Sequence, residues 1–355
     1  MSPTGAASRL RALRTLEFEV GIRAALAAVI PLVVLLMLGH VELAPYAAFG
    51  GMTAIFGRGE HYRARARTVG TAAVALVASV AAGTLLAAAD APLWAEALAL
   101  VAVLIVGTLV VAVARLGPPT TLFFVFALLV CAEVPTPTDQ VAVRIAITAL
   151  SAAFAFGLSV SGWMLRRFGG ERVRAVLKEL PKHPPARFDA LGDRAVWLNI
   201  AQVVLAAVGA GAVALAFGVG HPYWAVVGAI AVVPPPGAAH SLTRARHRVF
   251  GTIGGVLVTA LILWPDPPVW VLIIVIGIAQ FGAEVLVGRH YGAAMLFVTP
   301  LALVVSWIAS PSDPGGLLVD RVIETVIGCA VGVVLVLAGR FVESRWGRLA
   351  PADGR

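Results

Sequence analysis

The sequence predicts an all-α membrane protein of about 12 transmembrane helices, built as two parallel six-helix repeats with both termini cytoplasmic. Three observations carry that prediction. Hydrophobic residues make up 60% of the chain and charged residues 13%, about half the roughly 25% charge of an ordinary soluble protein. The mean hydropathy is +0.93, and the apolar residues come in blocks long enough to cross hydrocarbon as helices. The two halves also repeat each other. Pro45-Tyr46 opens a short apolar run that leads to Arg63, Arg65, Arg67 and Val69-Gly70-Thr71, and Pro222-Tyr223 opens another leading to Arg244, Arg246, Arg248 and Phe250-Gly251-Thr252. Arg144 and Thr148 match Arg321 and Thr325 in the same way.

In chain order, the first half divides into spans at 19–39, 42–57, 68–89, 93–114, 118–134 and 141–165. The basic leader before the first span lacks a small-x-small cleavage site, so that span reads as uncleaved. The second half divides at 196–217, 221–237, 249–264, 268–288, 291–310 and 318–340. The domains follow: a first membrane repeat over 1–165, a basic cytoplasmic linker over 166–195, a second repeat over 196–340 and a tail over 341–355. Within the linker, Pro181, Pro184 and Pro185 break a short surface helix. Spans 2 and 8 are short, and span 8 ends in Pro234-Pro235-Pro236-Gly237, which cannot continue a regular helix. Irregular backbone at that depth must lie in protein or line a wet cavity, because lipid cannot satisfy its polar groups.

Loop charges set the topology. With the N-terminus inside, nearly all of the 27 basic residues fall in inner loops, and only Arg144 and Arg321 sit near the outer side. The outer loops carry Glu42, Asp90, Glu96, Glu133, Asp139, Asp266, Asp313 and Asp320. This is the asymmetry of the positive-inside rule. Six spans per half is an even number, so the halves enter the membrane in the same sense. The net charge of +8 therefore reads as topology and contact with anionic lipid, with no nucleic-acid partner. Cys131 and Cys329 lie in apolar segments and suggest neither a disulfide nor a metal. No hydrolase, Walker or zinc motif occurs, so no enzyme activity and no cofactor are expected.

The candidate site is built from charges that the membrane would otherwise exclude. Arg144 and Arg321 begin the last helix of each half, and a guanidinium fork suits a carboxylate. Arg67 and Arg248 end the inner basic clusters and would draw anions inward. Glu324 lies three residues after Arg321 on one helical face, and its repeat counterpart is Ile147. It is the candidate for proton coupling, against the alternative of an intrahelical salt bridge. Glu284 reads as a structural partner for an inner arginine. Tyr223, Trp224 and Tyr291 read either as aromatic surfaces for a substrate or as interfacial belt residues.

The second half carries a recognisable pattern: His221-Pro222-Tyr223-Trp224, then Arg244-x-Arg246-x-Arg248-x-x-Gly251-Thr252-x-x-Gly255, then Tyr291, Phe297, Thr299 and Pro300, then Arg321-x-x-Glu324-Thr325-x-x-Gly328. It resembles the fusaric acid resistance protein-like family of the aromatic acid exporter superfamily and, more distantly, plant malate channels. The resemblance implies a multi-pass bundle in the bacterial inner membrane that exports aromatic or other organic acids. The expectation is an exporter of small organic anions, chiefly aromatic carboxylates, driven by protons. A passive anion channel and a non-transport envelope scaffold are the alternatives. The partners are the anion and the bilayer, and a homo-oligomer is allowed but not required.

Overall fold

The computed structural model describes residues 3–168, 186–233, 241–309 and 314–346. Twelve α-helices and four short 3-10 turns account for the regular structure, with no strand among the described residues. The first half holds α1 (Pro3–Leu38), α2 (Ala44–Gly51), α3 (Tyr62–Ala88), α4 (Leu93–Ala114), α5 (Leu122–Glu133) and α6 (Val141–Phe168). The second holds α7 (Arg194–Ala216), α8 (Tyr223–Val232), α9 (Ser241–Leu263), α10 (Val269–Leu286), α11 (Tyr291–Ala309) and α12 (Pro314–Trp346). The Pro234–Gly237 run, most of the expected linker and most of the tail lie outside the described residues.

Nine of these helices are long and apolar enough to cross a membrane. Three segments expected as spans are shorter: α2, α5 and α8 have 8, 12 and 10 residues. At about 1.5 Å per residue none of these helices reaches across roughly 30 Å of hydrocarbon. All residues of α2 and all residues of α8 are buried, whereas the long helices bury only part of their surface. The outward faces carry side chains such as Val74, Leu261 and Trp264. In water such a surface would cost about 25 cal/mol per Å²; against lipid it costs nothing. The protein is a multi-pass membrane protein.

Helix ends explain the chain reversals. After α1 and after α7 the chain turns through a left-handed glycine, Gly39 (φ 77°) and Gly218 (φ 65°). The two following amides bond back to the last helical turn, Gly39 to Leu36 and His40 to Leu35, and Gly218 to Leu215 and Val219 to Ala214. This closes otherwise unpaired carbonyls. After α3 and α9 the left-handed residue is an aspartate, Asp90 or Asp266, one of the few side chains that tolerate that region. Pro92 and Pro268 then cap α4 and α10 in extended conformation.

Within the first half α3 packs on α5 and α6, and α2 packs on α6 and α1; within the second α9 packs on α11 and α12, and α8 packs on α12 and α7. Across the halves α1 meets α10, α4 meets α7, α5 meets α8 and α2 meets α11. One hydrophobic core runs through both, from Tyr46, Phe49 and Phe124 to Trp224, Ile276 and Val304. The short helices sit so close to their neighbours that only glycine fits. A Cβ on Gly50 of α2 would lie 2.4 Å from Thr148 O of α6, and one on Gly328 of α12 would lie 2.1 Å from Ala225 O of α8.

Candidate functional site

A cavity of about 490 Å³ opens between the halves, walled by α1, α2, α5, α8, α9, α10, α11 and α12. Its volume falls within the roughly 300–1,000 Å³ of small-molecule sites. The wall is mostly apolar, with Phe49, Phe123, Phe126 and Trp224 supplying rings. Four arginines face it, Arg58, Arg244, Arg248 and Arg321, against one acid, Glu284. Helix directions order these groups. Arg58, Arg244 and Glu284 lie at the end that carries the basic loops, while Arg321 and Trp224 lie near the opposite end.

Arg321 is the most deeply placed of these cations. It is 1% exposed, and its guanidinium carbon sits 3.7 Å from the centroid of the Trp224 ring. Trp224 in turn packs on Phe126 and Tyr223 at centroid distances of 5.0 and 4.8 Å. Arg321 Nε and Nη1 are buried without a hydrogen-bond partner among the described residues. The alternative of an intrahelical bridge between Arg321 and Glu324 is not formed among the described residues. Glu324 Oε1 instead accepts the backbone N–H of His221 at 2.7 Å, and its Oε2 is buried and unpaired. The ring face supplies a cation–π attraction, worth about 2 kcal/mol when desolvated, but no negative charge.

Arg248 is buried on the first part of α9. Its Nη1 donates to Tyr291 Oη at 3.1 Å, and Arg244 lies 4.9 Å above the same ring. Tyr291 is therefore a cavity residue held between two arginines and not a lipid-facing belt residue. At the basic end Arg58 of the first half is ion-paired with Glu284 of α10 and also donates to its backbone oxygen at 2.8 Å. Glu284 thus has the structural arginine partner expected of it, but that partner comes from the other half. Arg289, nearer in sequence, donates to Glu17 of α1.

Three sequence-predicted site residues stand elsewhere. Arg144 is buried, but it donates to Tyr46 Oη at 2.8 Å, to Thr136 Oγ1 and to Gln140 Oε1 at 3.0 Å, away from the cavity wall. Its polar neighbours consume the fork that would have met an anion. Arg67 is exposed. The buried residue of its cluster is Arg65, which donates to Ser159 O at 3.3 Å and lies 3.6 Å from Glu19. Burial explains the difference: α3 buries Arg65, Thr68, Val69, Ala72 and Leu76, and α9 buries Arg248, Gly251, Thr252, Gly255 and Thr259, each 183 residues further on (65 to 248). The arginine triplets align at a different offset, 181 (67 to 248), which pairs exposed Arg67 with buried Arg248. Tyr223 is buried between His221 and Trp224 and does not line the cavity.

Arg65 and Arg58 were missed, and of these Arg58 lines the cavity. Arg65 and Arg67 differ in helical phase with Val69 and Ala72, a signal present in the sequence. Trp224 falls in an apolar run too short to span, which points to burial on all sides and away from a belt role. Arg58 had no comparable signal, since its partner lies in the other half.

The residues of this site fall mostly in one stretch of the chain. Residues 206–335 match the fusaric acid resistance protein-like family. That stretch contains Trp224, Arg248, Tyr291, Arg321 and Glu324, so the resemblance seen in the motifs holds over α8 to α11 and most of α12. An uncharacterized membrane protein of Bacillus subtilis (strain 168), YvaC, is 28% identical over 162 residues, covering 46% of this chain and 25% of that protein. The chain thus matches about a quarter of the length of this curated relative. No solved structure matches.

Proposed function

We propose that this protein is a bacterial inner-membrane transporter that exports small organic anions, chiefly aromatic carboxylates, and couples their movement to protons. One observation carries the proposal: Arg321 stands buried on the wall of an apolar cavity, stacked on Trp224, with two nitrogens unpaired and no carboxylate bound to it among the described residues. A buried charge without a partner costs several kcal/mol. A substrate carboxylate would offset that cost through charge-assisted bonds, and the surrounding rings would take its apolar body. Arg248, Arg244 and Tyr291 would receive the anion on its way from the basic end, which the positive-inside rule makes cytoplasmic.

In this reading the two halves are parallel repeats, 1–165 and 196–340. The matched helix pairings, the paired glycine and aspartate turns and the two buried short helices support it. Glu324 is the coupling acid. Buried beside Arg321 without being paired to it, Glu324 would hold a proton in one state and compete with the anion for the local positive field in the other. The second reading is a passive anion channel, favoured by the absence of Glu324 from the cavity wall.

The test is flux in proteoliposomes with benzoate and related carboxylates, setting the pH gradient and membrane potential independently. Uphill benzoate movement driven by the pH gradient, lost in Glu324→Gln, is the expected result. Flux that only follows the electrochemical gradient and survives Glu324→Gln assigns a channel. No anion flux from folded protein removes the transport reading.

A further inference from the structure

Arg321 and Glu324 share one helix but open onto different surroundings. Arg321 lines the cavity, whereas Glu324 does not. Glu324 is 0% exposed, so its carboxylate does not meet bulk water directly. His221, in the turn before α8, and Asp320, on the first part of α12, also do not line the cavity. The Nδ1 of His221 lies 3.2 Å from Asp320 Oδ2, and the two side chains are 30% and 24% exposed. Ligating-type atoms of His221, Asp320 and Glu324 all lie within 4.8 Å of one another. Glu324 Oε1 is held by the backbone N–H of His221, which leaves the unpaired Oε2 as the atom free to take a proton.

We infer that His221 and Asp320 form the outer leg of a proton path to Glu324, separate from the anion cavity. The inference rests on the proton-coupled reading above and adds the route. A proton from outer water is taken by Asp320 or by the free ring nitrogen of His221, passes across their hydrogen bond, and is delivered to Glu324 Oε2. The return step leaves Glu324 ionised and His221 neutral, so no charge accumulates. The other charged or titratable groups near Glu324 are Glu133 at the end of α5, Arg321 on its own helix and Tyr223 on α8. Separating the routes has a physical purpose. A proton and a carboxylate crossing one narrow chamber would combine and leak as the neutral acid, whereas two routes meeting only through the Arg321–Glu324 field keep the exchange obligatory.

The decisive experiment compares two modes of benzoate movement in proteoliposomes for the wild type, His221→Gln, Asp320→Asn and Asp320→Glu. Counterflow of labelled against unlabelled benzoate needs no net proton movement. Uptake driven by a pH gradient does, and an entrapped pH dye follows the proton directly. His221→Gln and Asp320→Asn should keep counterflow, which also shows that they fold, while their pH-driven uptake and dye signal fall at least tenfold. Asp320→Glu should restore both. If both variants keep pH-driven uptake at the wild-type rate, the relay is overturned although the transporter stands. Wild-type counterflow without any pH-driven uptake overturns proton coupling and the relay with it. A stoichiometric divalent ion retained by purified wild type and lost from Asp320→Asn would overturn the relay in favour of a cation site.

Discussion

Arg144 and Arg321 are both buried near the starts of long helices, yet among the described residues Arg144 leaves one nitrogen, Nε, without a partner, whereas Arg321 leaves two, Nε and Nη1. Arg144 on α6 is held by the Tyr46 hydroxyl, Thr136 and Gln140, and its guanidinium also lies 5.2 Å from the Tyr46 ring centroid. Arg321 on α12 lies over the Trp224 ring as Arg144 lies over the Tyr46 ring, but an indole has no hydroxyl oxygen to accept from the guanidinium. The difference comes down to a few neighbours. The first half surrounds its arginine with oxygen acceptors and so makes it structural. The second half replaces them with an aromatic face and an open cavity, which leaves donors for a ligand. Two buried arginines can thus differ in what they leave free without any change in the charged residue itself.

Arg321→Ala is the sharpest test of that contrast. Truncating one member of a buried charge pair costs about 2–5 kcal/mol, so benzoate counterflow per folded molecule should fall about 100-fold or more. Arg144→Ala should do the opposite. It breaks buried bonds to a charged group, each worth about 1.5–3 kcal/mol, and so should lower the melting temperature of the purified protein while counterflow per folded molecule changes less than about threefold. Equal flux losses in the two variants would sink the comparison.

Packing offers the next test. Gly328→Ala drives a Cβ to 2.1 Å from Ala225 O, and relieving such overpacking costs about 1–3 kcal/mol. Lower thermal stability is expected, together with reduced flux, because α8 carries Trp224 and must shift. Gly50→Ala, with its clash against Thr148 O at 2.4 Å, should cost similar stability with less effect on flux. The inner clusters give the smallest effects. Arg248→Ala should reduce counterflow about tenfold, the equivalent of about 1.4 kcal/mol, by removing a cavity cation and freeing Tyr291. Arg67→Ala should change it by less than about twofold, as expected of an exposed charge; a tenfold loss there would restore Arg67 to the pathway.

Much of the fold was legible in the sequence because the signals are local. Apolar blocks, loop charges and turn residues place twelve helices close to where they lie, and the shortness of α2 and α8 was visible as well. Membrane-crossing length was less legible, since the span read over 118–134 forms a helix only from Leu122, past Pro118 and Pro119. The site divided in the same way. Of the residues singled out by type and motif, Arg321, Arg248 and Tyr291 line the cavity, whereas Arg144, Arg67 and Tyr223 do not. Arg58 and Glu284 became a pair only through contact across 226 positions of chain.

By itself, then, the sequence determined that this chain is helical, membrane-embedded and resembles a known family, because hydrophobicity, segment length and motif spacing are properties of neighbouring residues. Only the tertiary structure decided which arginines face the cavity. One residue turns an α-helix by about 100°, so a two-residue difference in register moves a side chain to nearly the opposite face. Whether a buried cation is saturated or left waiting for an anion then depends on atoms brought from other helices, such as the Tyr46 hydroxyl or the Trp224 ring.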